Sequence, residues 1–261
     1  MNKPTQFALV TLLVLATSAV LATPSTQIWI PSTDIQAFGV PHFGLDSYFR
    51  DWEHGYFQDG KRDPNVYDTG LTIGVLPLDS VQMEVGFDYM STLSGSKYDD
   101  HPLYFNAKIG MPEGVICSNA PAIAFGGYNF GTKYNDATKT DQNIVYGLTA
   151  KTLPPFCGLP SLGRLSAGYY VGNKEVLTGP NGSTDDNQGV LLSWDRTMRE
   201  IDNRLWFAVD YMGGQNANGA LSYAFSWAFT PNVSVIIGYD MYNKKSVAGA
   251  NTVTMQWDIN F

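Results

Sequence analysis

The three histidines, His42, His54 and His101, are the side chains best suited to proton transfer near neutral pH. Hydrolysis through a serine would need one of them within hydrogen-bond reach of the nucleophile, with an acid or amide orienting the ring. His42 lies in an alternating stretch with Asp46 on the same face, but Ser47 falls on the opposite face. His101 precedes Pro102 and follows Ser94 and Ser96 in a polar segment, and His54 lies in another. None of these spacings sets nucleophile, base and orienting group on one face. We read the three as polar lining or loop residues and expect no catalytic residues and no enzyme.

Metal and cofactor chemistry fare no better. The chain has no Cys-x-x-Cys, no His-x₃-His, no haem attachment motif and no phosphate-binding glycine loop. The acidic groups Asp59/Asp63/Asp68 and Asp185-Asp186 lack the EF-hand spacing. No metal site and no cofactor are expected. Cys117 and Cys157 could form a disulfide in an oxidising compartment, or stay as separate thiols.

The most regularly placed charges alternate with apolar residues. The acids in such stretches are Asp46, Asp68, Glu84, Asp88, Asp195, Asp210, Asp240 and Asp258. The bases are Arg50, Lys108, Lys151, Arg164 and Arg204. Tyr48, Tyr104, Tyr170 and Trp206 share their face, where they could fill space or stack on a solute. Charges repeating every second residue suit a strand with one wet and one greasy side.

The elements that must position these charges are strands of about ten residues, recurring to the end of the chain. The first is expected over Val40–Phe49, the second over Asp68–Leu76 and the third over Val81–Met90. The fifth, near Pro121–Phe130, slips phase at Gly126-Gly127, which predicts a bulge. The sixth places Ile144, Tyr146, Leu148 and Ala150 on its apolar face. The ninth and eleventh do the same with Leu205, Phe207, Val209 and Tyr211, and with Val233, Val235, Ile237 and Tyr239. No charged residue falls on the apolar face of any expected strand. An Arg or Lys facing hydrocarbon would cost about 2–4 kcal/mol. Tyr89, Tyr146, Tyr211, Tyr239 and Trp227 lie near strand ends, where aromatic girdles belong. These features favour a closed antiparallel transmembrane β-barrel of about 12 strands over a soluble sandwich.

The last strand, Val253–Phe261, alternates to its end and closes on an aromatic residue. It resembles the terminal strand of bacterial outer-membrane β-barrel proteins of the porin-like class. That resemblance implies an assembly signal at Trp257 and Phe261, read by the barrel-assembly machinery. At the other end, Lys3, the apolar run Phe7–Leu21 and the small-residue site Val20-Leu21-Ala22 predict a secretory signal peptide over residues 1–22. Residues 23–39, with Ile28-Trp29-Ile30-Pro31, would form a periplasmic lead-in or short plug. Residues 40–261 would form the barrel.

Connections alternate in length. Pro77–Ser80, Met111–Ala120, Thr152–Leu162, Thr197–Asn203 and Thr230–Asn232 form the shorter set, which places both termini in the periplasm. The expected lumen lining comprises Asp46, Arg50, Glu84, Asp88, Lys108, Arg164, Asp195, Arg204, Asp210, Asp240 and Asp258. Its acidic excess predicts a weak preference for cations or neutral solutes. The net charge of −8 argues against nucleic acid. The partners expected are outer-membrane lipid and the assembly machinery. The function expected is passive passage of small hydrophilic solutes in a Gram-negative outer membrane. The alternatives are a closed structural or adhesive barrel acting through its loops, and a lipid-modifying barrel enzyme.

Overall fold

A computed structural model describes residues 25–51, 63–132, 139–157 and 161–261. The expected signal peptide, His54 and Asp59 lie outside the described residues. Alternating apolar and polar side chains produce twelve strands: β1 (Pro41–Arg50), β2 (Val66–Gly74), β3 (Gln82–Ser91), β4 (Leu103–Met111), β5 (Ala122–Gly131), β6 (Ile144–Thr152), β7 (Arg164–Val171), β8 (Gln188–Thr197), β9 (Leu205–Met212), β10 (Ala220–Thr230), β11 (Val233–Tyr242) and β12 (Thr252–Asn260). Every neighbour is antiparallel, and β1 pairs with β12 from His42↔Asn260 to Arg50↔Thr252, closing the barrel. Closure leaves no open sheet edge. Two short helices, α1 (Lys97–Asp100) and α2 (Lys245–Ala248), sit in the β3–β4 and β11–β12 connections.

The two faces are as unlike as the sequence predicts. Ile237 is 56% exposed on the outer wall, with Phe225, Leu192 and Val253 also exposed there. Glu84 and Asp210 point inward and are 3% and 1% exposed. The fifth strand does slip phase, two residues beyond the expected glycines. Phe105 pairs with Phe130 and Ala107 with Gly127, so Tyr128 and Asn129 together face Asn106. Asn129 takes a left-handed φ of 56°, which asparagine tolerates better than most residues.

One strand is turned the other way from expectation. Ile144, Tyr146, Leu148 and Ala150 of β6 face the interior, whereas Val145 and Thr149 face out. Lys151 accordingly leaves the lumen and pairs with Glu113 of the β4–β5 turn at 2.7 Å. The physical reason lies inside the barrel. Ile30 is packed there against Ile144, Tyr146, Leu148, Tyr170, Leu177, Leu191 and Met212, in a conventional apolar core.

Ile30 belongs to an inner hairpin. Ser25–Ser32 folds back on itself, with a Thr26↔Pro31 bridge and a Gln27 N–H bond to the Ile30 carbonyl at 2.7 Å. The chain then leaves along β2, where Phe38 bridges Gly74 in parallel. A Cβ at Gly74 would stand 2.3 Å from the Gln36 carbonyl oxygen and 2.2 Å from that of Ala37, so only glycine admits this passage.

Candidate functional site

The inner wall does two things: some of its charges hold the inner hairpin, others border a cavity, and Glu84 and Lys108 do both. The first set holds the inner hairpin. Oδ2 of Asp210 accepts the backbone N–H groups of Ile28 and Trp29 at 2.9 Å and of Ile30 at 3.3 Å. Gln256 donates to the Ile28 carbonyl at 2.8 Å, and Glu84 accepts the Gln36 N–H at 2.7 Å. Lys108 donates to the carbonyls of Ser25 and Ser32, and its ammonium lies 3.1 Å from Glu84. Asp195 accepts from Gln27 and Trp206, each at 3.1 Å, and from Arg164 at 3.0 Å. Arg164 in turn clasps Asp34. These contacts satisfy backbone donors that would be costly to bury unpaired.

The hairpin also carries apolar anchors. Ile28 packs with Ala208, Ala224 and Ile236, beside Trp206. The Trp29 ring meets Tyr48 and Tyr242 edge-on, with centroids at 5.2 and 5.6 Å. Its indole N–H donates to the Asn218 carbonyl at 2.7 Å, in the β9–β10 loop. Asn218 also donates to Gln142, which accepts from Asn129 as well. The tip thus reaches the long-loop end of the barrel and joins a ring of amides there.

The second set faces open space. Beside the hairpin lies a cavity of about 500 Å³, lined chiefly by β1 to β4. Asp46, Asp68, Asp88 and Asp258 border it, with Tyr48, Tyr98, Tyr128 and Tyr242. Asp46 and Asp68 are direct cross-strand partners, and Asp88 lies opposite Gly70 on the next strand. Asp46 accepts from Tyr48 at 3.4 Å, and Asp88 accepts from Asn106 at 2.7 Å. Arg50 also borders the cavity, but it donates to the carbonyls of Pro64 and Ala250 and lies over the Tyr242 ring.

His42 points into the same space. Its Nδ1 is 2.9 Å from the Asn260 side-chain oxygen and its Nε2 is 3.5 Å from Asp258. Its acidic partner is therefore Asp258, from across the barrel seam, and not Asp46. Ser234 donates to the far oxygen of Asp258 at 3.3 Å. The carboxylate stands between serine and imidazole, the reverse of the order a nucleophile–base pair requires. His101 caps α1 by donating its backbone N–H to the Tyr98 carbonyl. Among the described residues, no group of three or more His, Cys, Asp and Glu side chains is placed to hold a metal ion.

Three expected site residues stand elsewhere. Arg204 does not line the lumen. It precedes β9, pairs with Asp202 at 2.9 Å and lies 4.5 Å over the outward-facing Trp227 ring. Beyond the strand's first residue no wall constrains the side chain, and it folds over the nearest aromatic face. Cys117 and Cys157 are not bridged; each is an exposed thiol in its own turn. Of the other inward charges, Asp240 accepts from Thr252 at 2.8 Å and is fully buried. At the chain's end Trp257 stacks on Phe229, and Phe261 is exposed with its N–H donating to the Pro41 carbonyl.

Gln27, Asp34, Asn218 and Gln256 complete the site, and their roles are not apparent from the pattern of strands. The only trace of them is Ile28-Trp29-Ile30-Pro31, a bulky apolar run with no strand to belong to.

No protein-family model and no curated protein matches the chain. It is similar to solved structures of a NanC porin (10% identity, 84% of this chain and 100% of that chain covered, TM-score 0.43). It is likewise similar to the outer membrane protein Omp33 of Acinetobacter baumannii (11%, 87% and 100% covered, TM-score 0.41). A third is Salmonella typhi OmpF in complex with daunomycin (8%, 85% and 97% covered, TM-score 0.39).

Proposed function

We propose that this chain is a porin-like channel of a bacterial outer membrane, passing small hydrophilic solutes through a narrowed lumen. The observation that carries the reading is the inversion of the usual protein pattern: apolar side chains cover the outside of a closed barrel, and charges face a cavity within it. No described helix is long and apolar enough to cross a membrane, so the crossing elements would be the strands. A bilayer would cover the outer apolar wall, while polar solutes would travel between the hairpin and β1–β4.

The carboxylates of Asp46, Asp68 and Asp88 favour cations or neutral polar solutes over anions in that passage. The shorter turns favour the periplasmic side, and with them both termini. Trp257 and Phe261 would serve the assembly machinery before the barrel meets its lipid. Purified protein in liposomes should admit uncharged saccharides of graded size and swell the vesicles. Vesicles that stay impermeable to the smallest of them would overturn the reading.

A second reading, a closed structural or adhesive barrel, is favoured by the hairpin itself, which fills the interior beside β6–β10. The same liposomes separate the two, because a closed barrel leaves them impermeable.

A further inference from the structure

We propose that Ser25–Gln36 is the movable restriction of the lumen and that Asp210 is the residue that positions it. This rests on the channel reading above and adds what limits the channel and what releases it.

The hairpin is inside the barrel without being part of its wall. It contributes none of the twelve strands, and closure is complete between β1 and β12 without it. It meets the wall through the side chains of Ile28, Trp29 and Ile30 and through its own backbone: the N–H groups of Ile28, Trp29, Ile30 and Gln36, and the carbonyls of Ser25, Ile28 and Ser32. The backbone bonds and the packing of Ile28 and Ile30 would be lost together if the segment slid out.

Asp210 concentrates them. One carboxylate oxygen gathers three successive N–H groups at the hairpin tip. Removing it would orphan three donors in a site that is 1% exposed, which the docked hairpin cannot tolerate. The exit from the lumen passes Gly39, whose N–H donates to the Gly74 carbonyl at 2.9 Å, a bond that any outward swing would have to release. Gly39 sits just before β1 with φ at 73°, and its surroundings are open where a Cβ would stand. With cleavage after Ala22, as the sequence predicts, Gly39 would be the hairpin's one covalent link to the barrel.

The wall beneath is mixed: the apolar side chains of β6–β9 that pack on Ile30 would be uncovered, and beside them the charges that hold the hairpin. Asp195, Asp210, Glu84, Lys108 and Arg164 would then face water and line a wider passage. Their charges serve docking in the closed state and solutes in the open one.

The test pairs two readouts on the full chain. In Asp210→Ala, the amides of Ile28–Ile30 should exchange with deuterium faster, on the order of ten-fold or more. Single-channel conductance in planar bilayers should rise about two-fold or more as the lumen widens. A second variant lacking Ser25–Ile30 leaves every strand intact and should conduct like Asp210→Ala. It decides the matter if the point variant fails to fold. A synthetic peptide spanning Ser25–Gln36 should reduce the current of the deleted variant.

Unchanged amide exchange in Asp210→Ala would overturn the positioning role. Faster exchange with wild-type conductance in both variants would overturn the restriction while leaving the channel standing. Silence from wild type and both variants, with fast exchange in Asp210→Ala, would sink the channel reading and the restriction with it.

Discussion

The guanidinium of Arg164 holds the carboxylate of Asp34 in a two-pronged pair, with both N···O distances at 2.8 Å. One residue opens wall strand β7; the other lies in the segment that carries the inner hairpin back toward β1. Arg164 also reaches Asp195 at 3.0 Å. Arg164→Ala strips two carboxylates of one partner and should cost about 1–3 kcal/mol of local stability. Hydrogen exchange at the amides of Thr33, Ile35 and Gln36 reads the loss. Asp34→Asn should cost less, because Arg164 keeps Asp195. Unchanged exchange in Asp34→Asn would show that the pair does not hold the hairpin.

Lys108 and Glu84 make the other charged clasp, and both side chains are only 3% exposed. Cutting one partner out leaves a buried charge alone, which costs about 3–5 kcal/mol. Lys108→Met should therefore lower the denaturant midpoint of the barrel in detergent far more than the Lys108→Met, Glu84→Met double change does. A double variant no more stable than the single one would place the energy elsewhere.

The facing of β6 is testable on its own. Val145 is 52% exposed and points outward, whereas Leu148 is buried inside the barrel. Val145→Arg, at the second residue of β6, should hinder folding into lipid vesicles by about 1 kcal/mol, the cost near a membrane interface. Leu148→Ala should cost about 2–5 kcal/mol in detergent as well as in lipid, because it opens a void in a packed core. A silent Leu148→Ala in detergent would put that side chain back on the lipid face.

That strand marks where the sequence stops being legible. The period of two suffices for most of the barrel: β1 and β3 begin one residue from expectation, and Asp88, Asp195, Asp210 and Asp258 lie on the inward face of their strands. Nothing in β6 itself says that its apolar side has a partner inside, because that partner, Ile30, is more than a hundred residues away. Part of the hairpin's hold is equally hidden, since backbone N–H groups leave no mark in a sequence. Arg204 misled for a local reason. Parity fixes a side chain's direction only within a strand, and Arg204 lies just before one.

Asp99 supplies a pH dependence outside the barrel wall. Burial pushes its carboxyl upward, but hydrogen bonds from Thr92, Ser91 and Ser96 outweigh that and hold it far below the usual carboxylate range. A depressed folded value means the stabilisation is complete above the unfolded value of about 4 and fades as pH falls below it. The β3–β4 loop should thus keep its order at pH 7 and loosen only in strong acid. Asp99→Asn should loosen it at pH 7 by about 1 kcal/mol, allowing for solvent screening. Amide exchange at Thr92 and Ser96 measures both; protection that is the same at pH 7 in the variant would contradict the role.

Single-channel recording across a potassium chloride gradient is the most direct measurement of whether solutes cross this lumen. We expect discrete current steps from the full chain, with a reversal potential leaning toward cations. In Asp88→Lys that potential should shift toward anions, since Asp88 borders the cavity. Bilayers that stay silent with the full chain and with the chain lacking Ser25–Ile30 would contradict a channel of any kind.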